Sequence, residues 1–140
     1  MGKIGIPDHI LNKRGALTEE EWKIMKTHSS IGYEILKNTD STFLKAGAII
    51  AKAHHENYDG SGYPDGLKGE EIHLFGRIVA IADVFDALMT KRPYKDPWPF
   101  DKAVELVRKK RGKQFDPKIV DLFLNNINRV KKISNIFRDV

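Results

Sequence analysis

The sequence has no cysteine, which excludes a disulfide framework and every zinc site built on thiolates. That absence fits a reducing compartment, and a cytoplasmic location is the expectation. No apolar run approaches the ~20 residues that a membrane-spanning helix needs. The opening Met1-Gly2-Lys3-Ile4-Gly5 lacks the long apolar core of a secretory signal. There is no internal repeat and no low-complexity stretch. An alternating strand pattern is also missing: Ile78 to Ile81 could pass for a short strand, but its helical flanks and alanine content argue against one.

What is present suits one compact domain. The 140 residues are 41% hydrophobic and 31% charged, the range of a soluble globular chain. Lysine and arginine number 24 against 19 acidic residues, a net charge of +5, and such a field favours anionic ligands. Part of the excess lies in Arg108-Lys109-Lys110-Arg111 and Lys131-Lys132. These runs read as solvated helix faces. No aromatic residues interleave with them as a groove for single-stranded nucleic acid would require, so no nucleic-acid polymer is expected as partner.

Periodicity and capping predict an all-α fold of about five helices. Thr18 and Glu21 form a capping box, and Trp22, Met25, Ser29, Gly32 and Leu36 trace the stripe of one long first helix. A second runs from about Phe43 to Glu56, followed by a Gly- and Asp-rich loop from Asn57 to Gly69. A third, from about Ile72 to Met89, is apolar nearly all round its middle and is predicted to be central. Pro93, Pro97 and Pro99 break the chain before a fourth helix near Phe100 to Lys110. The fifth begins with Asp116 as N-cap and Pro117 in its first turn. Residues 131–140 read as a helix continuation or a tail.

Among the five histidines, His28, His54 and His55 look like a cluster, whereas His9 and His73 read as structural or surface residues. Imidazole is the commonest metal ligand. Adjacent histidines on a helix point about 100° apart, yet their side chains can still reach one ion or two neighbouring ions. Asp83 interrupts the most apolar stretch of the third helix, and a buried carboxylate there needs a cation or a metal. Read alone, a single helical histidine is more often a packing or surface residue than a ligand, and Asp83 could be a packing carboxylate bonded to Arg or Lys.

The loop is more specific. His54-His55-Glu56-Asn57-Tyr58-Asp59-Gly60-Ser61-Gly62-Tyr63-Pro64 resembles the complete signature of the HD-GYP family. Gly2 to Asp8 resembles the segment that follows the family's His-Asp pair. Lys26 to Gly32 resembles its next metal-ligand motif, Ala82 to Leu88 its carboxylate motif, and Arg92-Pro93-Tyr94-Lys95 its phosphate-reaching loop. The resemblance covers residues 1–130.

It implies an HD-domain-like helical bundle that binds iron or manganese and hydrolyses the phosphodiester bonds of cyclic di-GMP. His28, His54 and His55 would hold one divalent transition metal, and Asp83 would help hold its neighbour. Lys3 would be catalytic, protonating the leaving oxygen or stabilising developing charge. Gly62, Tyr63 and Pro64 would line the ligand site, and Arg92 and Lys95 would bind phosphate. The family's His-Asp pair would precede Lys3, where this sequence has only Met1 and Gly2. The expectations are therefore a domain without its N-terminal helices, impaired phosphodiesterase activity in this chain, and an exposed apolar patch that favours a homodimer. The alternative is a silent remnant that binds a nucleotide or a signalling-domain partner.

Overall fold

The computed structural model describes residues 1–93 and 95–137. Tyr94, within the expected phosphate-reaching loop, and residues 138–140 of the expected tail lie outside them. The described residues are helical, without a strand: α1 (Asp8–Leu11), α2 (Glu19–Lys26), α3 (His28–Leu36), α4 (Thr42–Ala53), α5 (Leu74–Met89), α6 (Phe100–Lys109), α7 (Pro117–Asn125) and α8 (Ile127–Phe137). Short 3-10 turns at Gly2–Gly5 and Gly69–Glu71 complete the order.

The local signals act as the sequence suggests. Thr18 Oγ1 accepts from the Glu21 backbone, the Glu21 carboxylate accepts from Thr18 N, and together they close the capping box of α2. Asp116 caps α7 by accepting from Lys118 N, with Pro117 in the first turn. Ser41 does the same for α4, and the His73 ring caps α5 by accepting from Phe75 N. Two boundaries differ from expectation: α4 ends at Ala53, short of Glu56, and the stretch from Thr18 to Leu36 is two helices, not one. The chain breaks at Thr27, whose hydroxyl donates to the Ile24 carbonyl.

The core is formed by α5, α6 and α7. Ala80, Ile81 and Phe85 of α5 meet Ala103, Val104 and Val107 of α6, with Phe115 and Val120 closing the far side. Each valine buried there contributes about 2 kcal/mol. The Phe85 ring meets Phe100 and Phe123 edge-on. Contrary to expectation, α5 is not enclosed on all sides: Ile78, Ala82, Asp83 and Asp86 are exposed, so Asp83 carries no burial penalty. The basic run at the end of α6 is a solvated face, with Arg108 beside Glu105 and Arg111 paired through both Nε and a terminal nitrogen to Asp121.

The N-terminal half is laid against this core through α4, which packs between α3 and α5. Small residues permit the close crossings. Gly32 of α3 lies against Ala51, and Gly76 of α5 lies against Ala53. The first turn of the chain packs on the start of α3 so closely that a Cβ on Gly2 would sit 1.7 Å from the His28 carbonyl oxygen.

Candidate metal centre

The break at Thr27 places His28 at the first position of α3, where it is buried. Its Nδ1 lies 2.6 Å from the Met25 carbonyl oxygen, which reaches it across the break. His54 stands at the C-terminal end of α4, and its Nδ1 lies 2.8 Å from the Ile50 oxygen and 3.1 Å from that of Ala51. A carbonyl oxygen only accepts, so both rings must carry their proton on Nδ1. Their Nε2 lone pairs are thereby left for another partner, the arrangement in which a histidine ligates a metal.

His28, His54 and His55 each offer a nitrogen within 4.8 Å of the others. The ring centroids of His54 and His55 are 4.0 Å apart, and that of His28 lies 4.9 Å from His55 and 6.1 Å from His54. His28 Nε2 is fully buried without a hydrogen-bond partner. Burial holds the His28 imidazole below its usual pKa, and the same cause, added to by the neighbouring imidazoles and Lys3, brings His55 down to about 3. Neutral imidazoles with convergent lone pairs suit a divalent cation, which would satisfy the orphaned Nε2.

The loop after α4 is folded onto this cluster by two devices. Gly62 lies where a Cβ would come within 2.3 Å of Asn57 N and 2.5 Å of the His55 oxygen, so only glycine fits. Next to it, Tyr63 N donates to the His55 oxygen at 3.1 Å, and the Tyr63 ring stacks on His55. Burial pushes the Tyr63 phenol up to about 12. The Tyr63–Pro64 peptide is cis. The second device is Glu56, 2% exposed, whose two carboxylate oxygens accept from Asp65 N at 2.7 Å and Leu67 N at 3.0 Å. Farther along, Tyr58 N and Asp59 N donate to the carbonyls of Gln114 and Lys113, which ties the loop to the turn before α7.

In front of the imidazoles lies a cavity of about 380 Å³. His54, His55, Gly62, Tyr63 and Asp83 line it, so the carboxylate of α5 faces the same space as the cluster without joining the mutually close ligand atoms. Lys3 lies close enough to disfavour protonation of both His28 and His55. Arg92 and Lys95 exchange backbone hydrogen bonds in the segment after α5 and are not among the residues lining this cavity. Pro64 follows the stacked tyrosine and is likewise outside the lining.

Three contributors escape the sequence reading. Trp22 and Lys26 of α2 line the cavity, although their four-residue spacing could have marked a shared helix face. Glu56 anchors the loop through backbone groups nine and eleven residues away, a non-local role with no sequence pattern.

Fold and geometry together define an all-α domain built around three convergent imidazoles. The chain belongs to the HD domain family, which matches residues 1–119, and its loop signature is that of the HD-GYP branch. It is 53% identical over 98% of its length to the cyclic di-GMP phosphodiesterase response regulator RpfG of Xanthomonas campestris pv. campestris, covering 36% of that protein. A cyclic di-GMP phosphodiesterase of Thermotoga maritima is 49% identical over 99% of the chain, which covers 37% of it. The chain thus spans about a third of the length of these relatives. A crystal structure of a cyclic GMP-AMP specific phosphodiesterase of Vibrio cholerae has the same fold, with TM-score 0.66 and 20% identity over 98% of this chain and 35% of that one. No helix among the described residues is long and apolar enough to cross a membrane.

Proposed function

We propose that His28, His54 and His55 hold a divalent transition metal, iron or manganese, and that the chain is the core of a metal-dependent phosphodiesterase acting on cyclic di-GMP. The observation that carries this reading is the buried, unpartnered Nε2 of His28, directed at two further imidazoles. Three neutral nitrogens suit such an ion. When bound, it supplies positive charge that polarises phosphoryl oxygens and acidifies water.

The remaining roles fall to side chains of this chain. Asp83, facing the same cavity, supplies the carboxylate for a neighbouring ion. Lys3, whose charge is felt by both His28 and His55, protonates the leaving oxygen. Gly62 gives the loop its close approach, and Tyr63 forms the wall against which the dinucleotide is oriented, with Pro64 next to it outside the cavity lining. Arg92 and Lys95 draw in its phosphates. The two relatives described above carry cyclic di-GMP in their names, which favours that dinucleotide. A 3'3'-cGAMP-specific phosphodiesterase of Vibrio cholerae, 48% identical over 90% of the chain and matched over 24% of its own length, makes the mixed dinucleotide the next to try.

One observation favours a second reading, a silent module that binds a nucleotide or a signalling-domain partner. Among the described residues the mutually close ligand atoms are imidazoles alone, with no carboxylate to share between two ions. Hydrolysis of cyclic di-GMP with added iron or manganese separates the two, run beside a polypeptide extended upstream. Turnover by the extended form, lost in His54→Ala, supports the enzyme. Metal-dependent binding without turnover in either form supports the silent module. Self-association belongs to either reading, because Ile4 and Phe43 stand 81% and 89% exposed, and sedimentation velocity measures it.

A further inference from the structure

We infer that Trp22 and Lys26 are a substrate-recognition pair at the mouth of the cavity, the indole a platform for one guanine and the ammonium a partner for a phosphodiester. The inference rests on the dinucleotide reading above and extends it to α2, to which that reading gives no role.

Both residues line the cavity that His54, His55 and Asp83 share. They are four apart on α2 and so occupy one face of the helix. That face is held in place at the helix start by the Thr18–Glu21 capping box and by Lys13, whose ammonium lies 2.6 Å from the same Glu21 carboxylate. Trp22 meets Tyr63 edge-on with ring centroids 6.2 Å apart, which leaves the indole 43% exposed at the cavity. A large aromatic surface left open beside a polar cavity suits stacking on a base, since every base presents a π face.

Lys26 is the second observation. Its Nζ lies 5.7 Å from the Trp22 ring centroid and 5.6 Å from that of Tyr63. Among the described residues no carboxylate is within ion-pair distance of it, although the side chain is half-buried. Aromatic faces stabilise an ammonium without accepting its hydrogen bonds. The charge is therefore held at the cavity with its donors free for an anion. Cyclic di-GMP offers the matching chemistry, a flat base joined to an anionic phosphodiester.

The test uses the two tryptophans. In a Trp98→Phe protein Trp22 is the sole indole. Its emission, with Mn2+ already saturating, should be quenched as cyclic di-GMP is added. By calorimetry, Trp22→Leu should raise the Kd for cyclic di-GMP about tenfold and Trp22→Phe should recover most of that loss. Lys26→Met should also raise it at low salt, by a factor that shrinks as salt is added, and Lys26→Arg should restore binding. Mn2+ binding measured alone should be the same in all of them. Tight cyclic di-GMP binding with unchanged Trp22 emission, and with Trp22→Leu and Lys26→Met matching the parent, overturns the inference and leaves the dinucleotide reading standing. Mn2+ binding without any cyclic di-GMP binding in the parent overturns both.

Discussion

The ring of Tyr63 lies over the ring of His55, with centroids 4.9 Å apart and planes inclined by 17°. The same tyrosine takes its backbone hydrogen bond from its N–H to the His55 carbonyl, so one residue fixes both the main chain and the imidazole of its neighbour. A metal ligand held in this way loses little freedom when it binds. Tyr63→Ala should therefore weaken metal binding about tenfold, and Tyr63→Phe, which keeps the stack, should leave it nearly intact. Calorimetric titration with Mn2+ checks both.

Glu56 holds the loop that carries Tyr63. Glu56→Ala would leave the N–H groups of Asp65 and Leu67 without their acceptor, and each hydrogen bond to a charged group is worth about 1.5–3 kcal/mol. A loss near 3 kcal/mol is expected in urea unfolding. Glu56→Gln should fall between that and the parent, because its amide keeps one acceptor oxygen and turns a donor toward the other N–H.

Gly62→Ala tests the close approach directly. The added Cβ would meet backbone atoms of His55, Glu56 and Asn57, none of which can swing aside as a side-chain tip could. The loop must lift, and with it the Tyr63 N–H bond to His55. Metal affinity should fall more in Gly62→Ala than in Gly60→Ala, whose Cβ would meet nothing nearer than 3.5 Å but whose φ of +88° is strained for alanine. Titration with Mn2+ and thermal unfolding, run on both variants, separate loss of the site from loss of the fold.

Asp116 joins the cap of α7 to α5. Its carboxylate accepts from Lys118 N and lies 2.7 Å from a terminal nitrogen of Arg77, whose Nε donates to the Ile72 carbonyl. Arg77→Met leaves a buried carboxylate with the cap alone, and removing one partner of such a pair costs about 3–5 kcal/mol. Because neither Arg77 nor Asp116 lines the cavity beside the imidazoles, metal affinity should be unchanged in the folded fraction. Chemical denaturation and Mn2+ titration of the same variant check the two halves of that statement.

Much of this molecule was legible because its signals are local. The capping box at Thr18 and the cap at Asp116 act over a few residues, and each is where the pattern puts it; the second helix, expected to reach Glu56, ends at Ala53 and leaves His54 and His55 in the turn after it. The break at Thr27 was not legible, since no glycine or proline marks it. What it gains is a carbonyl at Met25 that meets the His28 ring, a preference set by the site and not by helix propensity. The exposure of Asp83 escaped for a similar reason: apolar content cannot tell a helix enclosed on all sides from one at the edge of a cavity. α8 was ambiguous because only its first turns, through Ile127 and Val130, touch the core, while Ile133, Ile136 and Phe137 extend the stripe into solvent.

Three imidazoles, from the start of α3 and the turn after α4, would close on one ion. Crystals grown with Mn2+ or Fe2+, with anomalous scattering recorded at the metal edge, test it most directly. A peak is expected about 2.0–2.3 Å from the ligating nitrogens of His28, His54 and His55, with Nε2 the ligating atom of His28 and His54. A well-ordered crystal saturated with metal in which the three rings point to separate partners, or in which the ion binds elsewhere, would contradict it.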